Sequence, residues 1–226
     1  MKQHLRRLIS RIINIRPRLF NRTMGQRIIT YFNGDAGQLT QKETGQLGFG
    51  LIHYAFITNT KPKRILCIGS RKGFVPAICA LACADNNMGH VDFVDAGYDQ
   101  DDKNHWSGIG WWKKISPHKH FSLFGINKWL TTYVMTTQRF ATLYHRSYDY
   151  IYIDGNHSYK GVLLDYKLFW PRLTSGGLIV FHDAFVRSTK ELGKFGVWKL
   201  WQQKAGDRGI LFPFPPESGL GILQKR

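Results

Sequence analysis

Acidic residues are missing from the start of this chain. Residues 1–30 hold none, against eight basic residues: Lys2, Arg6, Arg7, Arg11, Arg16, Arg18, Arg22 and Arg27. The shortage persists in milder form over the whole, with 15 Asp+Glu against 32 Lys+Arg in 226 residues and a formal net charge of +17. Such a balance disfavours cationic partners and favours nucleic acid, anionic lipid, or a phosphorylated or acidic substrate. Cysteine is scarce too. Cys67, Cys79 and Cys83 are too sparse for a zinc site and read as small core residues in a reducing, cytoplasmic compartment. No apolar run approaches the ~20 residues that a membrane span needs. The first residues lack the uninterrupted apolar stretch of a signal peptide and resemble an Arg-rich transit peptide only slightly. What the chain does have is core-forming material: 43% of its residues are hydrophobic and 14% aromatic. Its length suits one sizeable α/β domain with an appendage.

Leu5, Leu8, Ile9 and Ile12 recur at helical spacing with Arg6, Arg7 and Arg11 between them, until Pro17 ends the pattern. Three readings follow: a helix docked on the core, a helix lying on an anionic membrane surface, or a nucleic-acid contact. Residues 1–60 are thus expected to form a basic helical arm or cap, with a helix over 38–58 weakened by glycines. Lys61-Pro62 breaks that helix and opens the domain proper, residues 61–226.

From there strands and helices alternate. Strands are expected at 64–68, 91–95, 131–135, 148–153, 177–182, 210–214 and 219–224. Helices are expected at 74–85, 137–145, 158–170 and 186–204. This alternation implies a mostly parallel sheet covered on both faces. The link between the last two strands is too short for a parallel crossover, so they should be antiparallel. Residues 97–128 look irregular. Their Trp106, Trp111 and Trp112, with Gly108 and Gly110, read either as an aromatic wall of an acceptor pocket or as a cap on the core.

Three stretches carry chemistry. In Ile65-Leu66-Cys67-Ile68-Gly69-Ser70-Arg71-Lys72-Gly73-Phe74 an apolar strand runs into a glycine turn and then a helix. Gly69 and Gly73 permit tight geometry and close ligand approach, although the run matches neither G-x-G-x-x-G nor a P-loop. In Val91-Asp92-Phe93-Val94-Asp95, Asp95 closes a strand where ribose hydroxyls arrive in a nucleoside-binding sheet; Asp92, in mid-strand, competes for that role. The third stretch is Tyr148-Asp149-Tyr150-Ile151-Tyr152-Ile153-Asp154-Gly155-Asn156-His157-Ser158-Tyr159, followed by Gly176-Gly177-Leu178-Ile179-Val180-Phe181-His182-Asp183. Two apolar strands each end in a carboxylate, Asp154 and Asp183, and strand carboxyl ends in such sheets face the ligand crevice.

These last two runs resemble the class I S-adenosylmethionine (SAM)-dependent methyltransferases, and within them the small-molecule and sugar O-methyltransferases. The resemblance covers roughly residues 60–226. It implies a Rossmann-like, seven-stranded sheet whose last strand is antiparallel, with helices on both faces. It also implies SAM as cofactor. Gly69, Ser70 and Gly73 match the family's glycine turn, with Arg71 and Lys72 in place of small or acidic residues. Asp95 matches the acid that holds the SAM ribose. Asp154 matches the acid near SAM that ligates magnesium in metal-dependent members, and Asp183 a second ligand. Ala184 and Asn156 stand where those members commonly carry further oxygen donors, which leaves a lean Mg2+ site of two carboxylates.

The implied reaction is in-line displacement of the SAM methyl by an acceptor oxygen, helped by a base. His157 is the first candidate base and His182 the alternate. The acceptor is expected to be a small-molecule or glycan hydroxyl; its identity and the oligomeric state stay open at this point. The basic arm, residues 1–30, would place the enzyme at the inner face of an anionic membrane. The rivals are an RNA methyltransferase, favoured by the charge, and a non-catalytic nucleotide-binding or membrane-associated protein of the same fold, suggested by Arg71, Lys72, Asn156 and Ala184. An NAD-dependent oxidoreductase is disfavoured by the glycine pattern.

Overall fold

The computed structural model describes residues 22–34, 36–97, 110–187, 195–206, 209–214 and 218–226. The expected amphipathic helix near residues 4–15, most of the basic arm, and Trp106 and Gly108 lie outside these.

The elements run α1 (Arg22–Phe32), α2 (Phe49–Thr60), β1 (Arg64–Ile68), α3 (Phe74–Asn86), β2 (His90–Asp95), α4 (Trp111–Lys114), α5 (Pro117–Ser122), β3 (Leu130–Val134), α6 (Thr137–Leu143), β4 (Tyr148–Ile153), α7 (Tyr159–Phe169), β5 (Leu173–Phe181), α8 (Val197–Ala205), β6 (Gly209–Phe214) and β7 (Ser218–Gln224). Seven strands form one sheet in the order β3-β2-β1-β4-β5-β7-β6. The first five are parallel, while β7 runs against both β5 and β6. The short 214–218 link therefore makes a hairpin, as its length requires.

The central strands are apolar throughout because both their faces are covered. Along β1 and β4 the faces alternate. Ile65, Cys67, Tyr150 and Tyr152 belong to one core layer with Ile28, Phe32, Ile57 and Ile78. Leu66, Ile68, Ile151 and Ile153 belong to the other with Phe140, Val162, Phe169 and Leu200. Helix α3 is buried from Phe74 to Cys83, and its alanines and cysteines let it lie between the sheet and α2. Cys67, Cys79 and Cys83 are free and buried, as small core residues.

Residues 22–60 are integral to this core: Ile28, Ile29, Phe32, Leu47, Phe49 and Ile57 are all at most 3% exposed. The helix expected over 38–58 is shorter, beginning only at Phe49. A tight turn paired between Gln41 and Gln46 precedes it. Gly48, at φ 52°, passes so close to Gln38 that a Cβ there would lie 2.0 Å from its carbonyl oxygen, and no continuous helix passes through such a point. The helix expected over 186–204 is described only as Val197–Ala205. Strand β5 starts earlier than expected, at Leu173. The irregular stretch contains two short helices, α4 and α5.

Candidate functional site

The order of strands reverses between β1 and β4: β1 leads through α3 to β2 on one side, while β4 and β5 build the other. In sheets of this kind the ligand position is outside the carboxyl ends of the strands at such a reversal, where the loops diverge. Gly69, Ser70, Gly73, Asp95, Asp154, His157, His182 and Asp183 lie at or just beyond these strand ends.

On the β1 side, Gly69 (φ 69°) and Gly73 (φ 86°) both take left-handed backbone. A Cβ on Gly69 would lie 2.3 Å from the Asp154 carbonyl oxygen. Only glycine lets the β1 turn pass this close to the end of β4. Arg71, between them, also has positive φ. Ser70 is buried, and its Oγ accepts from the Val75 amide at 3.3 Å, so it braces the start of α3. On β2, Asp95 accepts from the Gly97 amide through Oδ1 at 2.8 Å, which turns the chain out of the strand. Asp92, the competing acid, is spoken for: it binds Arg146 Nη1 at 2.8 and 2.9 Å and accepts from the Tyr148 hydroxyl at 2.9 Å. It anchors β2 to β4 and has no place in the crevice.

On the other side Asp154, His157, His182 and Asp183 converge, with one ligand atom from each lying within 4.8 Å of the others. The Asp154 amide donates to the Ile68 carbonyl at 2.8 Å, and the His182 amide to the Ile153 carbonyl at 3.0 Å. These bonds extend the β1–β4–β5 ladder by one step and fix both carboxylates at the rim. Asp183 takes φ 56°, a conformation that costs a non-glycine residue about 1–2 kcal/mol. The next loop is a helix start. Asn156 Oδ1 accepts from the Ser158 amide at 2.9 Å and Ser158 Oγ caps α7 at the Gly161 amide at 3.1 Å. Asn156, where the family resemblance calls for an acid, thus shapes the turn that presents His157.

His157 Nε2 is 3.2 Å from Asp154 Oδ1 and 3.6 Å from Asp183 Oδ2, and its ring stacks on Phe195 at 4.9 Å. His182 Nδ1 is 3.1 Å from Asp154 Oδ1 and 3.3 Å from Asp183 Oδ1. Behind them, the Tyr152 hydroxyl donates to Asp154 Oδ2 at 2.9 Å and accepts from Gln38 Nε2 at 3.0 Å. Burial alone would raise Asp154, but His182 and then His157 outweigh it and hold its carboxyl well below the usual range. Burial likewise works against a charged His182; the Asp183 and Asp154 carboxylates outweigh it and raise the ring well above the usual imidazole range. His53, deeper, is lowered to about 3, by burial first and then by the charge on His182.

Trp112 is 5% exposed and packs on Phe93 and Phe121, so it caps the core. Trp111 lies under the Lys72 ammonium, 4.5 Å from its ring centre. The Gln38–Tyr152–Asp154 chain and the bond from His182 Nε2 to the Gly37 carbonyl at 3.0 Å were beyond sequence reading. Their partners stand 114 and 145 residues apart in the sequence.

The resemblance implies Mg2+ here, and the donor set does not fit it. Magnesium prefers oxygen ligands and keeps several waters, whereas two imidazole nitrogens face this cluster alongside the two carboxylates.

A family model described as a methyltransferase domain matches residues 66–184, just over half of the chain. The chain belongs to that methyltransferase family. The Sinorhizobium fredii protein y4gI is 27% identical over 179 residues, covering 79% of this chain; the chain spans only 18% of that relative's length. Among solved structures, the Streptomyces achromogenes O-methyltransferase TomG, in complex with SAM, superposes with a TM-score of 0.60 at 11% identity, over 90% of this chain and 89% of that one. A Bacillus cereus O-methyltransferase in complex with SAH gives 0.57 at 11% identity, with 90% of each chain covered. These likenesses establish the Rossmann-like methyltransferase fold. Among the described residues no helix is long and apolar enough to cross a membrane.

Proposed function

We propose that this methyltransferase takes SAM as its methyl donor and transfers the methyl to a hydroxyl of a small molecule or glycan. One observation carries the reading: the glycine turn, Asp95 and the Asp154–His157–His182–Asp183 cluster share one crevice edge, at the point where strand order reverses. The turn at Gly69–Gly73 receives the amino-acid part of SAM and Asp95 its ribose hydroxyls. Asp154, one strand across, would face the methyl-bearing end of SAM.

Bound SAM would supply an electrophilic methyl: the acceptor oxygen's lone pair would form the new carbon–oxygen bond while the electrons of the breaking carbon–sulfur bond remain on sulfur. The acceptor proton must leave. Asp154 lies against His157 Nε2 and stabilises the imidazolium that forms when the ring takes the proton. Holding oxygen, carbon and sulfur in line supplies much of the remaining acceleration. No step runs through magnesium. An acceptor screen with radiolabelled SAM tests the reading. Label transferred to a hydroxyl compound by the parent, and reduced about 10²–10⁴-fold in His157→Ala, supports it. Label passing to RNA instead would favour the alternative substrate class.

The basic arm is assigned to an anionic membrane surface. Vesicle co-sedimentation of the full chain against one lacking residues 1–21, which keeps the core helix α1 whole, decides this, and equal binding by both removes it.

A further inference from the structure

Residues 103–148 hold no acidic residue, yet they carry Lys103, Lys113, Lys114, Lys119, Lys128, Arg139 and Arg146. This second acid-free stretch lies far in sequence from the first, residues 1–34, and the fold brings parts of the two together. The Tyr31 ring of α1 stacks on His120 of α5 at 4.6 Å, Phe32 stacks on Phe121 at 5.6 Å, and the Arg27 guanidinium lies over Phe124. Lys119 and Leu123 are neighbours at i, i+4 spacing, because Leu123 keeps helical backbone at the end of α5. His118 Nε2 is 3.1 Å from the Asn127 side-chain amide, which holds the chain at Lys128 beside the helix. Arg27, Lys119 and Lys128 are exposed, as are Lys114 and Ile115 just before α5. None of these four cations is ion-paired to another described residue. Among them Leu123 is 57% exposed, the highest value of any large hydrophobic side chain among the described residues.

The charge narrows what can cover this face. The basic arm, or the same face of a second copy, would bring like charge against it, so the occupant is anionic. Between a nucleic acid and a lipid surface the side chains decide. Nucleobases stack on open aromatic rings. Here the part-buried rings already carry cations: Arg27 over Phe124, Lys128 over Trp129 and Lys72 over Trp111. The apolar groups left exposed, Leu123 and Ile115, are aliphatic. An aliphatic side chain enters the acyl boundary of a bilayer while the lysines around it meet the headgroups.

We propose that the α1–α5 face docks on an anionic lipid bilayer, with Leu123 in the acyl boundary and Arg27, Lys119 and Lys128 on lipid phosphates. This is a surface of the folded domain, separate from the arm. It adjoins the glycine turn: His120 Nε2 donates to the Lys72 carbonyl at 2.9 Å, and a Cβ on Gly73 would meet the Phe121 ring at 2.7 Å. Docking therefore holds that turn near the lipid surface. Its meaning for methyl transfer rests on the SAM reading of the turn; lipid binding itself is measured without it.

The test titrates the full chain with vesicles of phosphatidylcholine and phosphatidylglycerol in equal parts, and with vesicles of phosphatidylcholine alone. Binding to the mixed vesicles only is expected. The triple variant Arg27→Gln, Lys119→Gln, Lys128→Gln should weaken it about 100-fold, at roughly 5-fold per charge. A charge-matched control, Lys160→Gln, Lys167→Gln, Lys199→Gln, changes α7 and α8 on the other face of the sheet and should keep most of the parent's affinity. Leu123→Ser should cost about 10-fold. Circular dichroism checks the fold of each variant. Because Cys67, Cys79 and Cys83 are buried, Leu123→Cys takes a polarity-sensitive fluorophore selectively, and its emission should shift to the blue on the mixed vesicles. Equal losses in the two triple variants would overturn the proposal, since net charge alone would then govern binding. So would undiminished binding in the first triple variant, an unshifted label on bound protein, or no lipid binding by a folded parent. Single-stranded RNA bound by the parent and lost in the first triple variant, with vesicles ignored, would reassign the face to nucleic acid. A SAM titration of the same samples separates the failures. SAM binding without lipid binding sinks this inference alone, whereas lipid binding without SAM binding sinks the cofactor reading.

Discussion

Replacing Asp165 with Asn should change how stability depends on pH. Asp165 lies on α7, 4% exposed, close beneath Gly155 of the site loop. Burial, partly offset by a hydrogen bond from Thr137, raises its carboxyl from 3.8 to about 6. A raised carboxyl pKa means that the folded state holds its proton more tightly than the unfolded state. The stability this brings is fully present below about pH 4 and is lost as pH rises through about 6. A displacement of about two units corresponds to about 3 kcal/mol between those limits. Asn keeps the shape and cannot ionise. Denaturant unfolding at pH 4 to 8 should therefore show the difference in stability, parent minus variant, falling by about 3 kcal/mol across that window. Other carboxylates titrate in both proteins and cancel in this difference. A difference flat with pH would refute the reasoning, because it would mean that Asp165 is ionised at little cost in its buried position.

Three further outcomes follow from the same contacts. Asp92→Ala strands the buried Tyr148 hydroxyl and the Arg146 charge and should cost about 2–4 kcal/mol in chemical denaturation, with SAM affinity in the folded fraction kept. Gly69→Ala drives a methyl into the Asp154 carbonyl and should abolish SAM binding as well as lower the melting temperature; calorimetry and a thermal scan check both. Trp112→Ala, if that ring caps the core as its 5% exposure says, should cost about 3–5 kcal/mol in chemical denaturation.

The sheet was legible because its strands are short apolar runs bounded by glycines and carboxylates, a local pattern that burial on both faces enforces. The rim residues were legible for a related reason: Asp95, Asp154 and Asp183 interrupt apolar strands at their carboxyl ends, where a charge is tolerated only at an opening. What escaped reading depends on long-range contact. Asp92 and Asp95 stand three residues apart in one strand, and only the folded positions of Arg146 and Tyr148 tell anchor from rim. His182 read as the alternate base, and nothing local in the sequence signals the Gly37 carbonyl at its Nε2. The stretch before Phe49 looked helical because Gly45 and Gly48 reveal their positive φ only in the fold. Trp112 carries no local mark of the face on which it packs.

Calorimetric titration of the purified chain with SAM, repeated on Asp95→Ala, tests the central claim most directly. Micromolar binding by the parent, lost in a folded Asp95→Ala variant, is the predicted result. No heat from a folded parent, or equal affinity in the variant, would contradict the assignment of this crevice to SAM.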